Sequence, residues 1–199
     1  MARRDPAPAS GPPSTLHARP LKLTTTDRAW VRLHRCRLAA EHFGRGRRHR
    51  FDAPNAEFGV LYAGQDEACA FVEVFGDPLD VRLLSLHVLE QYCLAEVRVT
   101  RPLRLVDLTG PGLRQLGADA RLTGGADYAY SRRWALGLWG HPDRPDGILY
   151  RSRHDPSLLA VAVLDRAGPA LRTTRRRALT EDRAALGALL DRYGFGLID

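Results

Sequence analysis

The sequence has few of the residues that build metal sites and disulfide frameworks. Its three cysteines, Cys36, Cys69 and Cys93, stand far apart, without a C-x-x-C spacing and without paired histidines. We therefore expect neither a zinc site nor a disulfide framework, and we assign no metal ligands. The three side chains are predicted to be reduced, packed thiols, which is typical of a cytoplasmic protein.

Long apolar segments are also missing. No stretch approaches the roughly 18 consecutive apolar residues that a membrane-spanning helix requires, and the N-terminus lacks the apolar core of a secretion signal. We expect a cytoplasmic protein that does not enter a membrane. The sequence has no G-x-G-x-x-G motif between a strand and a helix, so a Rossmann-type dinucleotide site is not predicted.

The remaining composition fits one globular domain with a basic surface. The 199 residues are 44% hydrophobic, and we find neither an internal repeat nor a second apolar core. A net charge of +7 favours an anionic partner, but it does not choose among DNA, a membrane surface and a nucleotide. Residues 1–20 are rich in Pro, Ala, Ser and Arg and are predicted to form a disordered tail, so the domain covers 21–199.

Arginine is concentrated in two runs, at 45–50 and at 172–177. Each run is most simply a solvated charged surface. The first run has a second interpretation, in which it guides a phosphate-bearing ligand to a pocket and the apolar Phe51 anchors Arg50 nearest to that pocket. An arginine can hold a pyrophosphate through two parallel hydrogen bonds, which a lysine cannot reproduce.

The central stretch at 58–75 predicts a strand, a turn and a helix. An apolar run ends at Gly64, and apolar residues then recur at intervals of three and four. Ala68, Phe71, Val72 and Phe75 share one side of the predicted helix, whereas Asp66, Cys69 and Glu73 fall on the other. Glu73 is therefore predicted to point away from the main core contact.

Other elements follow from the same patterns. Predicted strands cover 30–35, 97–108 with a break at Arg101-Pro102, 147–151 and 158–164. Predicted helices cover 83–93, 113–116, 128–139 with Asp127 as the cap, and a C-terminal segment that Thr180 caps and Gly194 ends. Because strands and helices alternate irregularly, a mixed α+β arrangement is favoured over a doubly wound parallel sheet.

Several short motifs, taken in order, resemble the RES domain, a family named after its Arg, Glu and Ser positions. The resemblance runs from about Trp30 to Asp165. It implies a single α+β domain similar to ADP-ribosyltransferases, in which a curved, split sheet with flanking helices holds NAD+. The matching pieces are Leu33-His34-Arg35, Arg50-Phe51, Leu61-Tyr62-Ala63 with Glu73, Val106-Asp107-Leu108, Asp127-Tyr128-Ala129 with Trp134-Ala135, and Asp146-Gly147-Ile148-Leu149-Tyr150 with Ser152-Arg153.

The resemblance also implies roles for individual residues. Glu73, Arg35 and Ser152 would form the catalytic set, with the carboxylate stabilising an oxocarbenium-like ribose as in glycoside hydrolysis. Arg50 would bind phosphate or ribose oxygens together with Arg35, and Tyr62 would shape the nicotinamide pocket. A rival for the serine role, Ser131, lies in the middle of a predicted helix.

Two features depart from the family pattern. Cys36 follows Arg35 where an apolar or aromatic residue is usual, which weakens the assignment of Arg35. The stretch from Glu73 to Ser152 is longer than in compact members, which indicates an inserted segment around 83–93.

The function implied by the resemblance is cleavage of the nicotinamide–ribose bond of NAD+ by a glycohydrolase or phosphorylase. Such a protein would be the toxin of a bacterial toxin–antitoxin pair, with an Xre-type helix-turn-helix antitoxin as partner, NAD+ as substrate and no further cofactor. Inorganic phosphate, water and a macromolecule all remain open as acceptors, and a homo-oligomer remains open too. The alternatives are an ADP-ribosyltransferase that modifies a macromolecule and a non-enzymatic basic module that binds nucleic acid. The aromatic residues do not interleave with the basic runs as base stacking would require.

Overall fold

Strands and helices of one α+β domain account for most of the computed structural model, which describes residues 11–77, 79–80 and 82–199. None of the helices in these ranges is long and apolar enough to cross a membrane. The strands are β1 Leu23–Thr26, β2 Trp30–Arg35, β3 Val60–Gly64, β4 Leu83–Ser85, β5 Tyr92–Val99, β6 Leu103–Asp107, β7 Gly147–Arg151, β8 Leu159–Leu164, β9 Leu171–Ala178 and β10 Gly196–Ile198. The α-helices are α1 Glu67–Phe75, α2 Leu86–Leu89, α3 Gly112–Leu116, α4 Arg121–Gly124, α5 Tyr128–Trp139 and α6 Arg183–Tyr193.

Eight strands form the main sheet in the order β1-β6-β7-β8-β3-β2-β5-β9, and β10 pairs with β4 in a second sheet. Neighbours in the main sheet are antiparallel except for β6 and β7. In the described chain, β2 and β3 share a single register pair, Val31 opposite Gly64, and then part. The sheet is therefore split between these two strands, and the predicted α+β fold class is confirmed.

Helix α1 forms as its sequence predicts and packs closely on the end of β3. Asp66 caps it by accepting a hydrogen bond from the Cys69 backbone N–H at 2.8 Å. The apolar side is buried, and Cys69, expected on the polar side, is buried as well. A Cβ at Gly64 would lie 2.6 Å from the Cβ of Cys69, so only glycine allows this contact.

The ends of the two other long helices agree with the sequence prediction at three of four positions. Helix α5 starts after Asp127, which accepts hydrogen bonds from two backbone N–H groups, and it spans the predicted residues. Helix α6 ends as predicted at Gly194, which has φ of +68°. The predicted cap of α6 was wrong: Asp182, not Thr180, accepts the hydrogen bond from Ala185 N at 2.9 Å.

The segment before β1 is packed against the domain. Leu16 is buried, and His141, itself buried, places its Nε2 at 3.2 Å from the carbonyl of Leu16 and 3.0 Å from that of Arg19. Residues before Leu21, where the sequence predicted the domain to start, therefore pack on the domain as well. The first half of the predicted tail, residues 1–10, lies outside the described residues.

The cysteine prediction was wrong for two of the three residues. Cys36 and Cys93 form a disulfide with 5.0 Å between their Cα atoms. Their separation of 57 residues conceals the pairing, because only the register of β2 with β5, His34 opposite Cys93, brings them together. Cys69 is free and buried.

The segment at 83–93 is not one helix, as the spacing predicted. It contains β4, the single turn α2 and the first residues of β5. Its apolar residues face two different neighbours, since β4 pairs with the C-terminal strand β10 and β5 pairs with β2. Apolar spacing over such a short stretch cannot distinguish these structures from a helix.

Candidate active site

A cavity of about 650 Å³ lies where β2 and β3 part. Of the described residues, five arginines and two carboxylates line it, so its field is positive. Its walls come from β2, β3, α1, the loop before Phe51 and the turn after β7. The lining residues include 32–35, 48–50, 62–64, Glu73, Asp77, Tyr92, Tyr128, Tyr150, Arg153 and His154.

Two hydroxyl groups hold the carboxylate of Glu73 inside this cavity. Ser152 Oγ donates to Glu73 Oε1 at 2.7 Å, and Tyr150 OH donates to Oε2 at 3.2 Å. Burial raises the pKa of Tyr150 well above its ordinary value, and the Glu73 charge raises it further. The phenol therefore stays protonated as a donor, and both carboxylate oxygens are fixed in place.

The turn after β7 explains why a serine stands at position 152. Its Oγ accepts hydrogen bonds from the backbone N–H groups of His154, at 3.2 Å, and Asp155, at 3.3 Å. With both N–H groups on its oxygen, the hydroxyl directs its own proton to Glu73. The rival Ser131 donates to the carbonyl of Leu122 at 2.9 Å instead and is buried in α5.

Arg50 reaches the cavity as a buried guanidinium. Its Nη1 donates to the Gly125 carbonyl at 2.6 Å, and its Cζ lies 4.8 Å from the centre of the Tyr128 ring. Its Nη2 is buried and has no hydrogen-bond partner among the residues that the structure describes. Burial lowers the pKa of Arg50, and Arg153 lowers it further, so an anion in the cavity would relieve an unfavourable charge.

Tyr62 has a function that the sequence did not predict. Its hydroxyl donates to Asp52 Oδ1 at 2.9 Å and accepts from the Phe51 N–H at 3.0 Å. Asp52 Oδ2 also accepts from the backbone N–H groups of Arg48 and His49. Tyr62 thus fixes the loop that carries Arg50, while its ring lines the cavity.

Arg35 lines the cavity at the outer end of β2. Its Cζ lies 4.3 Å from the centre of the Tyr92 ring, and its Nη1 donates to Gln91 Oε1. These contacts place Arg35 in the β2–β5 wall, whereas Ser152, the other expected partner of Glu73, donates a hydrogen bond to it directly.

Sequence reasoning assigned no role to three residues that line the cavity, Tyr150, Arg153 and His154. Tyr150 precedes Ser152 by two positions, so strand periodicity would have placed both hydroxyls on one side. Arg153 pairs with Asp77, and its Nε donates to His154 Nε2 at 3.2 Å.

His154 also lines the cavity. Burial lowers its pKa, although Glu73 and Asp77 act in the opposite direction. Within the described chain, no group of three or more His, Cys, Asp or Glu side chains is arranged to hold a metal ion.

Comparison with known proteins shows the family of this chain. The model of the RES domain matches residues 26–184, and the chain therefore belongs to the RES domain family, as the motifs indicated. It is 28% identical over 115 residues to the probable toxin y4kH of Sinorhizobium fredii (strain NBRC 101917 / NGR234), covering 58% of this chain and 90% of that protein. Its fold is similar to a chain in the crystal structure of the M. tuberculosis MbcT–MbcA toxin–antitoxin complex, with a TM-score of 0.64, 19% identity and coverage of 86% and 91% of the two chains.

Proposed function

We propose that this protein is an enzyme that cleaves the bond between nicotinamide and ribose in NAD+. The observation that carries the proposal is the Glu73 carboxylate, which Ser152 and Tyr150 hold in a cavity lined by five arginines. The second carboxylate of the lining, Asp77, is paired with Arg153. Breaking this bond expels a neutral leaving group and leaves positive charge on the ribose. A fixed carboxylate beside the sugar stabilises that charge in the transition state.

The cationic groups suit the other half of the substrate. Arg50 offers a buried Nη2 donor that has no hydrogen-bond partner among the described residues, and Arg35 lines the same cavity. We assign both to the diphosphate, because guanidinium groups hold phosphate oxygens through directed hydrogen bonds. The cavity is within the usual size range for cofactor sites, roughly 300–1,000 Å³.

The reaction ends when an oxygen nucleophile bonds to the anomeric carbon and gives up its proton. Water gives ADP-ribose, and inorganic phosphate gives ADP-ribose 1″-phosphate. We assign to Glu73 the alignment of the attacking oxygen, and the hydrogen bond from Ser152, which fixes the orientation of the carboxylate, supports this role. The proposal includes both water and inorganic phosphate as acceptors.

We further infer that the protein is a toxin of a toxin–antitoxin pair. Support comes from its similarity to the probable toxin of S. fredii and to the fold in the MbcT–MbcA complex. A partner antitoxin, expected to be of the Xre helix-turn-helix type, would then bind this chain.

The first experiment is incubation of the purified protein with NAD+, with and without inorganic phosphate, and identification of the products by mass spectrometry. We expect free nicotinamide and one of the two ADP-ribose products, and no turnover by Glu73→Gln. If nicotinamide is not released, or if Glu73→Gln releases it at the wild-type rate, the proposed mechanism is wrong.

Two further measurements separate the alternatives. Adenylate-labelled NAD+ would leave its label on a large acceptor if the protein were a macromolecular ADP-ribosyltransferase. A nucleic-acid-binding module would instead bind DNA with an affinity that falls steeply with salt. Against such a module, Arg177 pairs with Glu67 and Arg176 donates to the Cys36 carbonyl, so part of the second basic run is occupied within the protein.

The toxin inference has its own test. Induced expression of the wild-type chain in a bacterium should stop growth while cellular NAD+ falls, and Glu73→Gln expressed to the same level should do neither. Growth arrest with unchanged NAD+ would separate toxicity from the proposed chemistry.

A further inference from the structure

The disulfide lies next to the two residues that form one wall of the cavity. Cys36 directly follows Arg35, and Cys93 directly follows Tyr92. Arg35 and Tyr92 stand opposite each other in the register of β2 with β5, and the guanidinium of Arg35 packs over the Tyr92 ring. The covalent bond therefore crosses this pair diagonally, from the residue that follows Arg35 to Cys93, which stands opposite His34.

The outer end of β2 depends on this side for its position. The described chain pairs β2 with β3 at Val31 alone, so Arg35 has no strand partner across the split. Its strand end is held by β5, by a backbone hydrogen bond from Cys36 N to Gln91 O at 2.8 Å, and by the disulfide. Once the disulfide is reduced, the strand end that carries Arg35 would be held by noncovalent contacts on the β5 side alone.

We propose that the Cys36–Cys93 disulfide is a positioning bond for the substrate and that its reduction weakens the binding of NAD+. The proposal rests on the proposed function and adds a form of redox control to the same site. A dithiol reductant supplies two electrons and two protons: the protein S–S bond breaks, two S–H bonds form, and the reductant closes into a cyclic disulfide.

The surroundings of the three sulfur atoms make this exchange selective. Cys36 is partly exposed, whereas Cys93 is buried, so a small thiol reaches the bond from the side of Cys36. The third cysteine does not compete. Cys69 Sγ donates to the Leu159 carbonyl at 3.2 Å, and burial raises its pKa to about 12, so it is not a thiolate near neutral pH.

The test compares NAD+ turnover by the oxidised protein and by protein reduced with dithiothreitol, with the redox state verified by alkylation and mass spectrometry. We expect KM to rise by about tenfold on reduction, the effect of one charge-assisted contact, while kcat changes by less than about twofold. The Cys36→Ser/Cys93→Ser double variant should match the reduced protein and ignore dithiothreitol. Cys69→Ala is the matched control and should keep the full response.

The outcomes separate the inference from the proposed function. Equal KM in both redox states, with NAD+ still consumed, overturns the inference alone, and so does a double variant that still responds to dithiothreitol. A parallel fall in kcat with loss of the near-UV circular dichroism signal would show general loosening of the fold and would also overturn it. Absence of NAD+ consumption in every state would refute the proposed function and the inference with it.

Discussion

Replacing Ser152 with alanine tests the central geometry of the site. The change removes the 2.7 Å hydrogen bond to Glu73 and leaves the Tyr150 hydroxyl as the remaining donor to that carboxylate among the described residues. A hydrogen bond to a charged group contributes about 1.5–3 kcal/mol. If that energy is expressed in the transition state, kcat should fall by roughly 10- to 150-fold.

The assay is the initial rate of nicotinamide release at saturating NAD+, measured against Glu73→Gln as the background. Ser131→Ala is the matched control because it removes a hydroxyl that is also buried but donates to Leu122 O in another part of the fold. We expect it to cost about 1 kcal/mol of unfolding free energy and to leave kcat unchanged.

Two results would refute the reasoning. Full kcat in Ser152→Ala would show that the hydroxyl does not orient the carboxylate during the reaction. Equal loss of kcat in the two serine variants, with equal loss of stability, would show that the effect of Ser152 is general and has nothing to do with Glu73.

Three further predictions concern the surroundings of the carboxylate. Arg50→Lys should raise KM for NAD+ by about tenfold or more with a smaller change in kcat, because an ammonium cannot donate two parallel hydrogen bonds; steady-state kinetics measures both. Tyr62→Phe leaves the Phe51 N–H and one oxygen of Asp52 without their partner, so urea titration should show a loss of about 1–3 kcal/mol in unfolding free energy, and an unchanged midpoint would contradict the assignment. Burial lowers the pKa of His154 in the folded state, so the unfolded chain binds a proton first as the pH falls. The contribution of His154 to the unfolding free energy should therefore be complete above about pH 6.5 and decline below it. Denaturant titrations from pH 7.5 to 5 should show a smaller decline for His154→Gln than for the wild-type protein.

Local patterns were sufficient for much of the fold and for the position of the carboxylate. The helical phase of α1 placed Glu73 away from the apolar side, and Asp127 and Gly194 marked helix ends that the structure confirms. These features depend on neighbours within a few residues. The sequence therefore contains the information directly.

What could not be read from the sequence depends on strand pairing. The disulfide requires β2 and β5 to be adjacent, and no local pattern states that register. The role of the Tyr62 hydroxyl likewise depends on a loop that folds back to bring Asp52 within 2.9 Å. Arg35 and Arg50 line the same cavity, and Ser152 contacts Glu73 directly. These positions support the roles predicted for the three residues, and the kinetic experiments described above test those roles.

The packing of residues 11–20 has a practical consequence for work on this domain. A shortened form that starts at Leu21 would expose the apolar surface that Leu16 covers and would remove two carbonyl groups that the ring of His141 contacts. Such a protein should be less soluble and should melt earlier, and a fall in its activity would say nothing about catalysis. Expression designs are therefore best begun ahead of Gly11, with any affinity tag joined before that point.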